Sequence, residues 1–506
     1  MKQWIPIAIL AVSTMPAFSQ SGSVALEEIA SPEPHNFAKF GSEVLVDGDQ
    51  AIVLAKGYSA EPGSNGAFYA YTAEPNSGTW QFSQKVVHNS LTPVTEWYGS
   101  SAALSGDFLL VGAHSARDFE GQGYPAGAAF MYHRNSSGKW QLEQRLSILS
   151  GEEASGQRFG AKVALDGNYA AILAGTTQEI YIFESQGSGS WKFVQKISGS
   201  DYLRTDGFKP DFGTSISIDG EYLYIGAPTD DSDAYGSNAI NRSGAVYVFK
   251  RTGGNWTLDQ KVTQQTREAQ TYFGSNVEVS GDLMIVSSQE KRQGVVQIFQ
   301  RDRDGVWSFL QKLTPEVRSD LDRFGSDMAI DENHIAIAAP NYEVNGIAYA
   351  GAVFLYGKEA GSNHWIIEDL ITAPNPAGSE RMGTVQLNDG VVIVGLPSRN
   401  ISDSRYAGVI YVSKLPSSGS DAITESNGPL RMYPNPAKGS FNLEYTGKEL
   451  IESIHVFDYS GRQVNVKYVQ GQSAVDTKHL SPGVYLVKIQ LESGEILNRE
   501  LTIASY

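Results

Sequence analysis

The stretch that decides the fold runs from Phe212 to Val262. It opens as FGTSISIDGEYLYIGAP (Phe212–Pro228), crosses a loop, and resumes as SGAVYVFKRTGGNWTLDQKV (Ser243–Val262). Residues alternate around Ser215 to Ile218, the pair Asp219-Gly220 reverses the chain, and a second alternating run covers Tyr222 to Ile225. A third run spans Ala245 to Phe249, and Thr252-Gly253-Gly254-Asn255 turns it into a fourth that begins at Trp256. One unit is therefore four short strands joined by tight turns, a pattern that calls for an antiparallel sheet.

The unit repeats. Aromatic-Gly pairs stand at Phe40-Gly41, Tyr98-Gly99, Phe159-Gly160, Phe212-Gly213, Phe273-Gly274 and Phe324-Gly325, with a degenerate pair at Met382-Gly383. Seven pairs spaced by 51 residues (Phe273 to Phe324) to 61 residues (Tyr98 to Phe159) leave room for four strands each and little else. A period of this size is the mark of a β-propeller.

The fourth strand returns as GTWQFSQKV, GKWQLEQRL, GSWKFVQKI, GNWTLDQKV, GVWSFLQKL and NHWIIEDLI, with Trp80, Trp140, Trp191, Trp256, Trp307 and Trp365 at its head. Period two places Trp80, Phe82, Gln84 and Val86 on one face and Gln81, Ser83 and Lys85 on the other. A buried tryptophan contributes on the order of 4–6 kcal/mol of transfer free energy, so the six are read as glue between blades rather than as sugar-stacking platforms. Unit seven has no Trp strand after it. Its match lies at the other end of the chain, where VALEEIA (Val24–Ala30) follows the apolar and acidic spacing of WIIEDLI (Trp365–Ile371). An N-terminal strand that closes blade seven removes an exposed edge.

These units resemble FG-GAP repeats of the integrin α type. The resemblance implies a seven-bladed propeller over residues 23–415, with strand one lining a central channel and strand four outermost. It also implies a ligand-binding face formed by the strand 2–3 and 4–1 connections. Integrin-type blades often carry a calcium loop in the strand 1–2 hairpin. Here those hairpins are as short as Asp47-Gly48, Asp166-Gly167 and Asp219-Gly220, too tight to wrap a cation that takes six to eight oxygens. Asp230, Asp231 and Asp233 in the long loop of unit four are the remaining metal candidates. No metal and no cofactor is expected.

The strand 2–3 loops vary most. They are long at 57–65, 113–126, 227–243, 340–350 and 396–407, and they hold Phe119, Tyr124, Tyr235, Tyr342, Tyr349 and Tyr406. Amphipathic aromatics on loops are frequent binding anchors, so these six are the candidate ligand-binding residues. No G-x-S-x-G elbow and no His spacing suited to a metal occurs, so no catalytic residue is assigned.

After a polar linker at 416–428, residues 429–506 alternate in short strands and suit a small Ig-like β-sandwich. The segment resembles the type A sorting domain of the type IX secretion system through Tyr433-Pro434-Asn435-Pro436, Gly461, Gly483 and Tyr485. The resemblance implies export across the outer membrane, with the secretion machinery as partner. At the other end, Lys2, the apolar run Trp4–Val12 and Ala17-Phe18-Ser19 read as a signal peptide over residues 1–19.

Composition agrees with an exported all-β chain. The 52 glycines and 11% aromatics suit many strands and turns, and zero cysteines exclude disulfides and thiol catalysis. A formal charge of −17 opposes a nucleic-acid partner, whose phosphates need clustered cations. No run after the signal segment is long enough to span a membrane. The expected function is recognition or adhesion at the cell surface or beyond, through binding of a glycan or protein by the loop-rich face. A hydrolase using carboxylates on that face and a purely structural surface component are the alternatives.

Overall fold

The computed structural model describes residues 26–58, 64–74, 79–89, 96–117, 126–148, 156–187, 189–202, 211–315, 322–344, 346–359 and 362–415. In the C-terminal region it describes 430–433, 437, 440–445, 451–458, 463–464, 466, 474–481, 483–491 and 496–503. The fold is all β. The described helical content is one 3-10 turn, Gly199–Tyr202, and among the described residues no helix is long and apolar enough to cross a membrane.

Residues 26–415 form a seven-bladed propeller of four-stranded antiparallel sheets. Blade four is typical, with strands Ile216–Asp219, Tyr222–Ala227, Ala245–Thr252 and Asn255–Val262 in sequence order. First strands touch their neighbours all the way round, so they line the axis. Blade seven comprises Thr384–Asn388, Val391–Leu396 and Val409–Lys414, and its outer position is filled by Glu27–Ala30. Glu27 pairs with Val412 and Ala30 with Val409, and the Tyr411 hydroxyl donates to Glu28 Oε2 at 2.6 Å.

Three devices weld blade to blade. The first is apolar packing, with the six repeat tryptophans all at most 8% exposed. Each cluster combines two adjacent sheets, as where Trp140 meets Leu54 and Phe68 of blade one. The second is close backbone approach at the repeat glycines. A Cβ on Gly226 would stand 2.1 Å from the Gly274 carbonyl oxygen of the next blade, and one on Gly274 would stand 2.4 Å from that of Ala245. Gly274 also has φ +92°, so both space and backbone conformation require glycine there.

The third device departs from the period-two reading. In each of the six Trp-headed strands the register shifts by one residue in mid-strand. Tyr132 pairs with Leu142 but Met131 pairs with Gln144, which leaves Glu143 as the extra residue of a bulge. Gln144 therefore points to the face opposite Trp140, and Phe82, expected to pack with Trp80, is 47% exposed. The flip aims each glutamine at the following blade. Gln195 Oε1 accepts from the Trp256 N–H at 2.8 Å while its Nε2 donates to the Trp256 carbonyl at 2.8 Å. Gln84, Gln144, Gln260 and Gln311 grip Trp140, Trp191, Trp307 and Trp365 in the same way. The carboxamide takes the place of a neighbouring peptide group.

The strand 1–2 hairpins add a circumferential ladder. Asp47 and Asp166 end their strands, and their carboxylates accept the Gly106 and Gly220 N–H of the next blade at 2.6 and 2.7 Å. Ser105 and Asp331 take Gly167 and Gly390 likewise.

The C-terminal region has two sheets. Leu430–Tyr433, Ser440–Tyr445 and Ala474–Asp476 form one, and Gln463–Val464, Ile451–Asp458, Gly483–Leu491 and Ile496–Ile503 form the other. Phe441, Leu443 and Val475 of the first meet Val456, Val487, Ile489 and Leu501 of the second in one core, which is a β-sandwich.

Candidate functional site

The long loop of blade four is built around its acidic run. Asp230 is 4% exposed. Its Oδ2 takes the Lys261 ammonium at 2.9 Å and the Tyr247 hydroxyl at 2.5 Å, and its Oδ1 takes the N–H and hydroxyl of Ser232, each at 2.8 Å. Burial alone would raise this carboxyl, but the Lys261 charge and the donated hydrogen bonds hold it below the usual carboxylate range. Asp231 Oδ1 accepts the Arg242 N–H at 2.6 Å. Asp233 caps the tip, accepting the N–H of Tyr235 and Ser237 at 2.9 and 2.8 Å and the Asn238 amide at 2.6 Å. The three carboxylates thus bind loop donors, and among the described residues no three His, Asp or Glu groups converge as a metal site would require. At the apex Tyr235 is 93% exposed.

The other sequence candidates divide. Phe119 and Tyr124 lie outside the described residues. Tyr342 packs edge-on against Phe354 at 5.4 Å and is partly buried. Tyr349 is 38% exposed beneath the Arg381 guanidinium, 5.6 Å from its ring centroid. Tyr406, 41% exposed, lies against Phe37 at 5.6 Å. Of the sorting motif, Pro434, Asn435, Pro436 and Gly461 lie outside the described residues, Tyr433 ends the strand Leu430–Tyr433, and Gly483 opens Gly483–Leu491. Tyr485 is buried and its hydroxyl donates to the Ser481 carbonyl at 2.9 Å.

A cluster that the sequence reading did not single out lies on the axis. First strands of different blades bring Glu43, Lys162, Glu278 and Asp327 to the wall of a cavity of about 270 Å³. Their side chains are deep in the ring yet keep partial contact with the space inside it. Burial pushes Glu43 up to about 7 and Glu278 up to about 8, and the neighbouring Asp327 charge adds to both while Lys162 opposes. Burial raises Asp327 to about 6, against the Val385 N–H bond and Lys162. A signal existed: Glu43, Lys162 and Asp327 each stand three residues after the aromatic of their repeat, where other units have Ser, Asn or Val.

Geometry thus defines a propeller with a looped face, a titratable axis and a separate sandwich. Residues 191–249 and 307–356 match the FG-GAP repeat, and residues 431–503 match the secretion system C-terminal sorting domain. The chain is an FG-GAP-repeat β-propeller with a type IX sorting domain, exported to the cell surface or beyond. No curated protein matches it. Among solved structures it is similar to a protein from Lactobacillus plantarum, with 14% identity over 67% of this chain and 86% of that one and a TM-score of 0.43. It is also similar to the periplasmic gluconolactonase of Pseudomonas aeruginosa, with 15% identity over 67% of this chain and 86% of that one and a TM-score of 0.42.

Proposed function

We propose that this protein is a recognition module that binds a glycan or protein through the loop-rich face of the propeller, without turnover. The observation that carries the reading is the blade-four loop, in which a buried ion pair and a capped turn hold a 93%-exposed tyrosine at the apex. A loop already ordered loses little freedom on binding, and tyrosine gives a large rigid contact with few rotatable bonds. Phe119, Tyr124, Tyr342, Tyr349 and Tyr406 are the companion contacts in this reading. The test is a glycan and protein array on the mature chain and its Tyr235→Ala variant. The variant should lose about tenfold or more in affinity, on the order of 1.4 kcal/mol, with the melting temperature unchanged. Equal affinity of the two proteins would overturn the reading.

One observation favours a second reading, hydrolysis. A carboxyl with its pKa at about 8, Glu278, stays protonated at neutral pH, as a general acid must. A panel of glycoside and lactone substrates, run on the parent and on Glu278→Gln, decides it: turnover lost in the variant supports hydrolysis, and absence of turnover in the parent excludes it for that panel.

A further inference from the structure

In all seven blades the residue before the strand-one aromatic, or before Met382, has a left-handed backbone, with φ between 50° and 57°. Four of these positions carry cations, Lys39, Arg158, Arg323 and Arg381. Two carry aromatics, Trp97 and Tyr272, and one is Asp211. All seven sit at the entry to the first strands, which touch one another in a closed ring, so they encircle one mouth of the axial channel on the loop-rich side.

The fold asks for the backbone turn at these points but not for these side chains. A left-handed conformation costs a bulky residue roughly 1–2 kcal/mol, a strain glycine escapes, yet none of the seven is Gly or Asn. Charge is equally unexpected. Lys and Arg make up 39 of 506 residues in a chain of net charge −17, but they fill four of these seven places. Lys39, Arg158, Arg323 and Arg381 have no ion-pair partner among the described residues. The positive field reaches inward: Lys56 is held below the ordinary lysine value by burial and by Lys39 and Lys162, against Glu43. His114 is lowered by burial and by Arg158.

Two flat aromatic faces stand among the cations, Trp97 between Lys39 and Arg158 and Tyr272 next to Arg323. Trp97, 54% exposed, stacks on His114 at 5.9 Å. The Lys39 N–H donates to the Tyr406 carbonyl and the Arg381 N–H to the Tyr349 carbonyl, both at 3.0 Å, and the Arg381 guanidinium lies 5.6 Å from the centroid of the partly exposed Tyr349 ring. A rim that holds both cations and aromatic faces suits a sugar chain that bears carboxylates: the guanidinium forks take the acid groups and the rings take the apolar sugar faces.

We propose that this rim binds an acidic polysaccharide, a uronate-bearing chain laid around the channel mouth. The proposal rests on the reading of the looped face as a binding surface and names its ligand class.

The test measures binding of the mature chain to polygalacturonate, with neutral dextran and polyglutamate as comparison probes. The key variant is Arg158→Gly/Arg323→Gly, because glycine fits the left-handed backbone and the fold should be at least as stable as the parent. Expected are salt-sensitive binding of polygalacturonate, none of dextran, and a loss of tenfold or more in the variant with no fall in melting temperature. Trp97→Gly should weaken binding without changing its salt slope. Failure of the parent to bind polygalacturonate, or equal binding by the arginine variant, overturns the proposal. Polyglutamate held as tightly as polygalacturonate overturns it too, since charge alone would then suffice. If polygalacturonate fails while Tyr235→Ala still loses an array ligand, the looped-face reading stands and the acidic-glycan assignment alone falls.

Discussion

Replacing Gln195 with alanine tests whether the glutamine grip is a principal weld between blades. Gln195 makes two bonds of 2.8 Å to the backbone of Trp256, a residue 1% exposed. Each such bond is worth about 1 kcal/mol net, and truncation also strands an N–H and a carbonyl at a packed interface, so the cost is about 2–4 kcal/mol. A propeller of roughly 390 residues unfolds with an entropy of about 0.8 kcal/mol/K at roughly 2.1 cal/mol/K per residue. The melting temperature should therefore fall by about 3–5 °C on scanning calorimetry. Gln141→Ala is the control, because this exposed side chain lies on the Trp strand without gripping anything, and it should stay within about 0.5 kcal/mol of the parent. Gln84→Ala/Gln195→Ala should show additive losses, since the two grips serve different interfaces. A Gln195→Ala protein that melts within about 1 °C of the parent, or a control that falls equally, refutes the reasoning.

The axial carboxyls tie stability to pH: with Glu278 raised to about 8 and Glu43 to about 7, the folded protein holds protons that the unfolded chain releases. Stability should fall as pH rises from about 4.5 to 8, and Glu278→Gln should melt higher than the parent at pH 9 and alike at pH 5; a flat parent profile contradicts the burial argument. Deleting Glu27–Ala30 should lower the melting temperature far more than a four-residue trim elsewhere and promote aggregation, because it bares the Val409–Lys414 edge; light scattering and calorimetry read both effects, and parent-like behaviour counts against the seam. Removing residues 429–506 should leave a propeller that melts normally but stays in the periplasm, as cell fractionation would show; normal surface delivery would tell against the sorting role.

What could be read from the sequence was whatever recurs at fixed offsets within one repeat. Phe212-Gly213 announces the first strand, Asp219-Gly220 turns it and Trp256 heads the fourth, and seven copies of the aromatic-Gly spacing leave one architecture. The face of Gln84 was not legible, because alternation assumes no extra residue and the bulge at Ser83 is set by the sheet that the strand joins. The run Asp230, Asp231, Asp233 was visible as charge, but its use was not, since Lys261 and Tyr247 lie on other strands. The axial group was hidden for a related reason: Glu43, Lys162, Glu278 and Asp327 come from four separate repeats, and only closure of the ring makes them neighbours.

The seam at blade seven also sets an order of events. Pairing Glu27 with Val412 closes a loop of roughly 385 residues, at an entropic cost of about 5 kcal/mol. Four residue pairs cannot offset that alone, so the seam waits until the other six blades have docked and shortened the span. The last blade is thus a latch, and a chain halted anywhere before residue 409 remains an open arc. Because the sorting domain follows Lys414 along the chain, after the linker at 416–428, the export address is completed only after every piece needed to shut the latch has been made.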